Sequence, residues 1–189
     1  MGGSPRRITL YEFLRWDDGT EKRYELIGGF TAVIPPSMEA QRVLAVRLVT
    51  RIDAELSRRR PCRALIQAGV IPPCVDTYFV ADIAATCAAI EPGRQAIKDP
   101  FLIIEILSPS AERHDRRAKL PVYRQISTVQ EIVLIASDGL YAELHRRSGA
   151  QWVTEILRGG EAKLSLTSVG IEIAIADLYE GMAFDDSMS

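Results

Sequence analysis

The chain has 189 residues, 47% of them hydrophobic and 25% charged, and its 25 acidic and 23 basic side chains leave a formal net charge of −2. That is enough chain for one domain with a real core, read here as a single unit over 1–189, and it excludes a uniformly basic nucleic-acid coat or an acidic solvating tail. No apolar run approaches the ~20 residues of a membrane-spanning helix, and the opening Met1-Gly-Gly-Ser-Pro-Arg-Arg has no apolar signal segment, so the expected setting is the cytoplasm, away from membranes. Only four of the 23 cations are Lys, which suits phosphate contact wherever Arg side chains cluster. Cys62, Cys74 and Cys87 are odd in number and form no CxxC pair, and there are only two His. A disulfide framework or a structural zinc site is not expected, and the cysteines read as core or half-buried thiols.

In chain order, Thr9-Leu10-Tyr11-Glu12 has capping-box spacing and predicts a short helix over roughly 9–16. Arg23–Ile27 and Phe30–Ile34 flank Gly28-Gly29, the pattern of a tight hairpin. Pro35-Pro36 stops the second strand, with Ser37 as the expected N-cap of the next helix. Leu44, Leu48, Ile52 and Leu56 recur every four residues, so a long amphipathic helix runs to about Ser57 and is broken by Pro61. Strands are expected at Ala64–Ile71, Tyr78–Thr86 and Phe101–Leu107, the last apolar enough to be covered on both faces. A charged helix is read from Ser110 to Ile126, with Pro121 as its anomaly. Glu131–Ala136 is a buried strand, and Tyr141–His145 pairs with Trp152–Leu157 around Ser148-Gly149. A last helical turn falls at about Ala176–Tyr179. The fold class is α+β with an α/β-type core, a central mixed sheet flanked by helices.

Asp82 and Glu105 each put a carboxylate into an apolar strand, which costs several kcal/mol unless the group is paired, protonated or metal-bound. Two such acids on adjacent strands would make the oxygen-rich site that Mg²⁺ prefers. Each could equally sit solvated at a strand end or bonded to Arg. Asp115, Lys119 and Tyr123 share one helical face by their spacing, so Lys119 could face the carboxylates, although Asp115 and Lys119 alone also read as an ordinary surface pair. Arg113, Arg116 and Arg117 stand beside this group as candidate phosphate contacts. Arg58-Arg59-Arg60 reads as a solvated helix end, and His114 and His145 as surface residues.

The sequence resembles the Uma-type restriction endonuclease family of the PD-(D/E)xK nuclease superfamily. The resemblance runs from about Ile8 to Tyr179. It starts in Thr9-Leu10-Tyr11-Glu12-Phe13-Leu14 and Arg23-Tyr24-Glu25-Leu26-Ile27. It is strongest in Ile104-Glu105-Ile106-Leu107-Ser108-Pro109-Ser110 with Asp115, Lys119 and Tyr123, and it closes in Leu166-Thr167-Ser168, Ile171-Glu172-Ile173 and Asp177-Leu178-Tyr179. It implies a restriction endonuclease-like fold in which Asp82 and Glu105 hold the metal. Leu107 occupies the usual lysine place, and the resemblance passes that role to Lys119. Glu25 matches an additional acid. Two departures are visible. Gly28-Gly29-Phe30 stands where the family reads Asp-Gly-Glu, and Ala81 replaces the proline before Asp82.

The expected activity is Mg²⁺- or Mn²⁺-dependent hydrolysis of DNA phosphodiester bonds, with Asp82, Glu105, Lys119 and Glu25 as the working residues. A homodimer is expected, because cutting both strands needs two sites. The alternatives are a catalytically silent nucleic-acid-binding or assembly domain that kept the fold, and a hydrolase of small phosphate esters. Removing Glu105 is expected to abolish hydrolysis and to leave stability unchanged or higher, since an apolar strand would lose a carboxylate.

Overall fold

The computed structural model describes residues 6–109 and 115–184. Its centre is a six-stranded sheet of β3 (Arg63–Val70), β4 (Phe79–Thr86), β5 (Pro100–Leu107), β6 (Glu131–Ala136), β7 (Tyr141–Ser148) and β8 (Gln151–Arg158), in that spatial order. Every neighbouring pair is antiparallel except β5 and β6, which are parallel. A parallel pair requires a crossover. The described part of that crossover is a π-helical turn, Asp115–Lys119, running into α3 (Leu120–Tyr123). Pro121 therefore falls in the first turn of α3, directly after the π turn. The helix expected from Ser110 is thus shorter and partly π-helical, and its first five residues lie outside the described residues.

The sheet is apolar on both faces. On one side α2 (Glu39–Leu56) lays Leu44, Leu48, Ile52 and Leu56 against Ile83, Ile104, Ile106, Val133 and Ile135. Each of those helix side chains is fully buried, worth about 2 kcal/mol apiece. On the other side Phe79, Ile103, Leu107 and Tyr123 pack with Ile126, Val129, Ile132 and Leu134. β5 supplies Leu102, Ile104 and Ile106 to the first face and Ile103 and Leu107 to the second, as its continuous apolar run predicts.

Before the sheet, α1 (Leu10–Phe13) is shorter than expected but capped as expected, with Thr9 Oγ1 accepting from the Glu12 N–H at 3.2 Å. β1 (Arg23–Ile27) and β2 (Phe30–Ile34) form the Gly28-Gly29 hairpin. Two backbone bonds of 2.8 Å between Leu26 and Tyr78 dock it on the start of β4. The N-cap of α2 is Met38 rather than Ser37, because the Gln41 side chain accepts from the Met38 N–H at 2.9 Å. After β8, the Gly-punctuated tail folds as a further hairpin, β9 (Lys163–Leu166) with β10 (Ile171–Ala174), then α4 (Ile175–Tyr179). Leu164, Leu166, Ile173, Ile175 and Leu178 join the α2 face of the core.

The cysteine expectation is corrected. Cys62 and Cys87 are disulfide-bonded, 25 residues apart in sequence, and Cys74 is free. Spacing alone carries no signal of the bond, because it joins the exit of α2 to the end of β4, which only the packed sheet brings together.

Candidate active site

One residue beyond the last ladder pair of β4 and β5, Ile83 opposite Ile104, the register sets Asp82 across from Glu105. Both side chains line one cleft of about 500 Å³, together with Glu25 and Lys119. Four residues far apart in sequence are thus brought to one place. The hairpin brings Glu25, whose Oε1 accepts from the Val80 N–H at 2.9 Å. The π turn brings Lys119, which is buried, with its Nζ 2.9 Å from Glu25 Oε1 and 3.3 Å from Glu105 Oε1. Nζ also lies 3.4 Å from the Val80 carbonyl. A lysine ammonium has three donors and no acceptor, so these oxygens suit it. α3 brings Tyr123, whose hydroxyl donates to Glu105 Oε1 at 2.6 Å. Asp82 Oδ2 accepts from the Ile106 N–H at 2.7 Å, fixing that carboxylate by the backbone of β5.

Among the described residues the cleft holds three carboxylates against one ammonium, a surplus of two negative charges. Its donors are hard oxygens: the Asp82 and Glu105 carboxylates and the Ile106 carbonyl. Mg²⁺ binds through one or two protein carboxylates and keeps several waters, and Mn²⁺ accepts similar ligands, so this set fits either ion. The described residues contain no group of three His, Cys, Asp or Glu placed to hold a metal by themselves, so carbonyl and water oxygens would have to complete the coordination.

The departure at Gly28-Gly29-Phe30 lies away from this chemistry. The hairpin gives the cleft Glu25, Ala32, Val33 and Ile34, whereas its tip stands against Arg7, Ile8 and Asp76. Gly29 O accepts from Ile8 N and Gly29 N donates to Asp76 O, and Arg7 lies over the Phe30 ring.

The candidate phosphate-binding arginines do not act alike. Arg117 is exposed. Arg116 is half-buried and ion-paired with Glu143, which also accepts from the Tyr141 hydroxyl. Burial pushes the Glu143 carboxyl up, but Arg116 and Tyr141 outweigh it and hold the group below its ordinary value. Arg113 lies outside the described residues, as does His114. His145 is not on the surface as expected; it is buried on β7, 3.3 Å from Glu143 Oε2. Burial and the nearby Arg124 charge lower its pKa. The triple-arginine stretch after α2 is exposed, as expected of a solvated helix end, with Arg59 donating to the carbonyls of Ser168 and Val169 and Arg58 pairing with Glu55.

Two features have little signature in the sequence. Gln41 of α2 reaches the Ile106 carbonyl at 2.9 Å beside the site, and its place in the first turn of the helix that follows Pro35-Pro36 is the one available hint. Glu131 is fully buried and is held by the backbone and hydroxyls of Thr167 and Ser168 and by Arg146. Leu166-Thr167-Ser168 is therefore a latch on a structural carboxylate.

A mixed six-stranded sheet flanked by helices, with acids and a lysine gathered where β4 parts from β5, has a nuclease-like fold. Residues 10–176 match the family Uma2, described as "Putative restriction endonuclease", and the chain belongs to that family. It is similar in fold to a crystal structure described as "a putative nuclease belonging to DUF820 from Anabaena variabilis ATCC 29413". The TM-score there is 0.75 at 24% identity, over 90% of this chain and 97% of the other. Two uncharacterized proteins of Synechocystis sp. (strain ATCC 27184 / PCC 6803 / Kazusa) are each 25% identical. One match spans 187 residues, 94% of both chains. The other spans 170 residues, 87% of this chain and 95% of the relative.

Proposed function

We propose that this protein is a metal-dependent endonuclease that hydrolyses DNA phosphodiester bonds, using Asp82, Glu105, Lys119 and Glu25. The observation that carries this reading is the buried Lys119 ammonium, held between Glu25 and Glu105 on the wall of an open cleft that also takes Asp82. A cation and three carboxylates at a cleft wall, rather than in a closed core, suit a charged substrate. Asp82, Glu105 and the Ile106 carbonyl would hold Mg²⁺ or Mn²⁺. The ion would supply Lewis-acid activation of water and of the phosphoryl oxygens.

The chain's own residues do the rest. Tyr123 fixes the Glu105 rotamer by donating to one of its oxygens. The Ile106 amide fixes Asp82. Glu25 offsets the charge of Lys119 and aims its ammonium along the cleft, where it stabilises charge developing on the phosphate. The exposed Arg117 contacts the backbone of the strand, and Arg113 is a second such contact on this reading. A second copy of the chain supplies the second cut, so the working unit is a homodimer. No helix among the described residues is long and apolar enough to cross a membrane.

The test is a cleavage assay on plasmid and single-stranded DNA with Mg²⁺ or Mn²⁺, with Glu105→Ala as control and the mass measured by light scattering. Cutting by the wild type alone supports the reading. DNA binding without cutting under either metal would leave a silent binding domain in its place.

A further inference from the structure

Ile106 sits where β4 leaves β5. On the β6 side, Phe101 O accepts from Gln130 N and Leu107 O from Ser137 N, each at 2.8 Å. Backbone groups along a strand alternate between its two neighbours, so those of the even-numbered Ile106 turn toward β4. There the ladder has already ended at Ile83 and Ile104. Side chains take over what β4 no longer provides: Asp82 accepts the Ile106 N–H at 2.7 Å, and Gln41 Nε2 donates to the Ile106 carbonyl at 2.9 Å.

The Gln41 amide is itself oriented. Its Oε1 accepts from the Met38 N–H at 2.9 Å, so a flip of the amide would break both bonds at once. Gln41, Met38, Ile106, Asp82 and Glu105 all line the same cleft. A carbonyl oxygen has two lone pairs, and Gln41 occupies one of them.

We propose that Gln41 is a positioning residue of the hydrolytic site: it aims the Ile106 carbonyl so that the remaining lone pair joins Asp82 and Glu105 in holding a divalent cation. This rests on the nuclease reading and names the residue that completes its metal site. An outer-shell partner of this kind is worth about 10-fold or more in metal affinity. A residue that merely tied α2 to the sheet would affect stability and not the metal.

The experiment is a calorimetric titration of Mn²⁺ into the full chain as wild type, Gln41→Met and Gln41→Asn, with the thermal midpoint of each recorded without metal. Met keeps the length of the side chain without a donor, and Asn keeps the amide but withdraws it from Ile106. Both variants are expected to bind Mn²⁺ about 10-fold more weakly. Half-maximal DNA cleavage should need correspondingly more Mn²⁺, while the rate at saturating Mn²⁺ is recovered. Folded variants that bind Mn²⁺ as tightly as a binding wild type overturn the role of Gln41 and leave the nuclease reading standing. A wild type that binds no Mn²⁺ overturns both.

Discussion

Glu105 is 2% exposed, and its Oε1 receives both the Tyr123 hydroxyl and the Lys119 ammonium. From sequence, a carboxylate in an apolar strand looks like a burden whose removal would cost nothing. With those partners in place the expectation reverses. Glu105→Ala should lower stability by about 3 kcal/mol, because it orphans a buried hydroxyl and unbalances a buried ammonium. Glu105→Gln keeps an acceptor for the Tyr123 hydroxyl and should cost less than the alanine variant, since only the charge facing Lys119 is lost, with cleavage lost in both. Urea denaturation beside the plasmid assay checks the pair, and equal stability of the two variants would contradict this account. The arginines separate in the same way. Arg117→Ala should leave stability alone and reduce the salt slope of DNA binding by about one unit. Arg116→Ala should destabilise the fold first, because Glu143 loses its ion pair. Binding isotherms at three salt concentrations distinguish them.

At the scale of elements, the two hairpins position the site and brace the sheet. Gly28 and Gly29 both have positive φ, 56° and 90°. A side chain at Gly28 would meet nothing within 4 Å, whereas at Gly29 it would come within 3.1 Å of Arg7 and 3.3 Å of the Ile8 carbonyl. Gly28→Asp, the residue the resemblance leads one to expect there, should cost less than a substitution at Gly29, because Asp is among the residues that best accept a φ near 56°. Gly29→Ala should cost about 1 kcal/mol or more, read as a lower urea midpoint, and it should weaken the docking that brings Glu25 to Lys119. The second hairpin closes on Glu131. Burial alone pushes that carboxyl up, but the donors of Ser168, Arg146 and Thr167 outweigh it and hold it below 4.5. A depressed folded value means the stabilisation is complete above the unfolded value of about 4.5 and is lost as pH falls through the lower, folded one. Wild type should therefore lose stability on acidification below pH about 4.5 more steeply than Glu131→Gln. Equal slopes in acid titrations followed by circular dichroism would rule the latch out as a source of pH dependence.

For the whole molecule, the Cys62–Cys87 bond closes a 25-residue separation between α2 and β4. The Cys62→Ser/Cys87→Ser double variant should be less stable by about 3 kcal/mol in the absence of reductant, and the difference should vanish when both proteins are reduced. The elements with strong local signals are legible in the residues themselves: the Thr9 capping box, the Gly28-Gly29 hairpin, the four-residue stripe of α2 and the unbroken apolar run of β5. Each obeys a period or a turn rule that acts over a few residues. Asp82, Glu105 and Lys119 stand out for the same local reason, as charges in apolar or helical settings. What lies beyond the sequence depends on contacts between distant segments. Glu25 stands out only through the family resemblance, and its Val80 and Lys119 partners lie 55 and 94 residues along the chain. Gln41 reads as an ordinary first-turn helix residue until α2 crosses the open end of the β4–β5 ladder. Cys87, Glu131 and the tail strands β9 and β10 likewise take their roles from neighbours that no spacing encodes. Local patterns determine which segments become strands and helices, because side-chain periodicity is a property of adjacent residues. Only the packed sheet decides which carboxylates meet the lysine and which serve the core, because burial and pairing are properties of segments brought together.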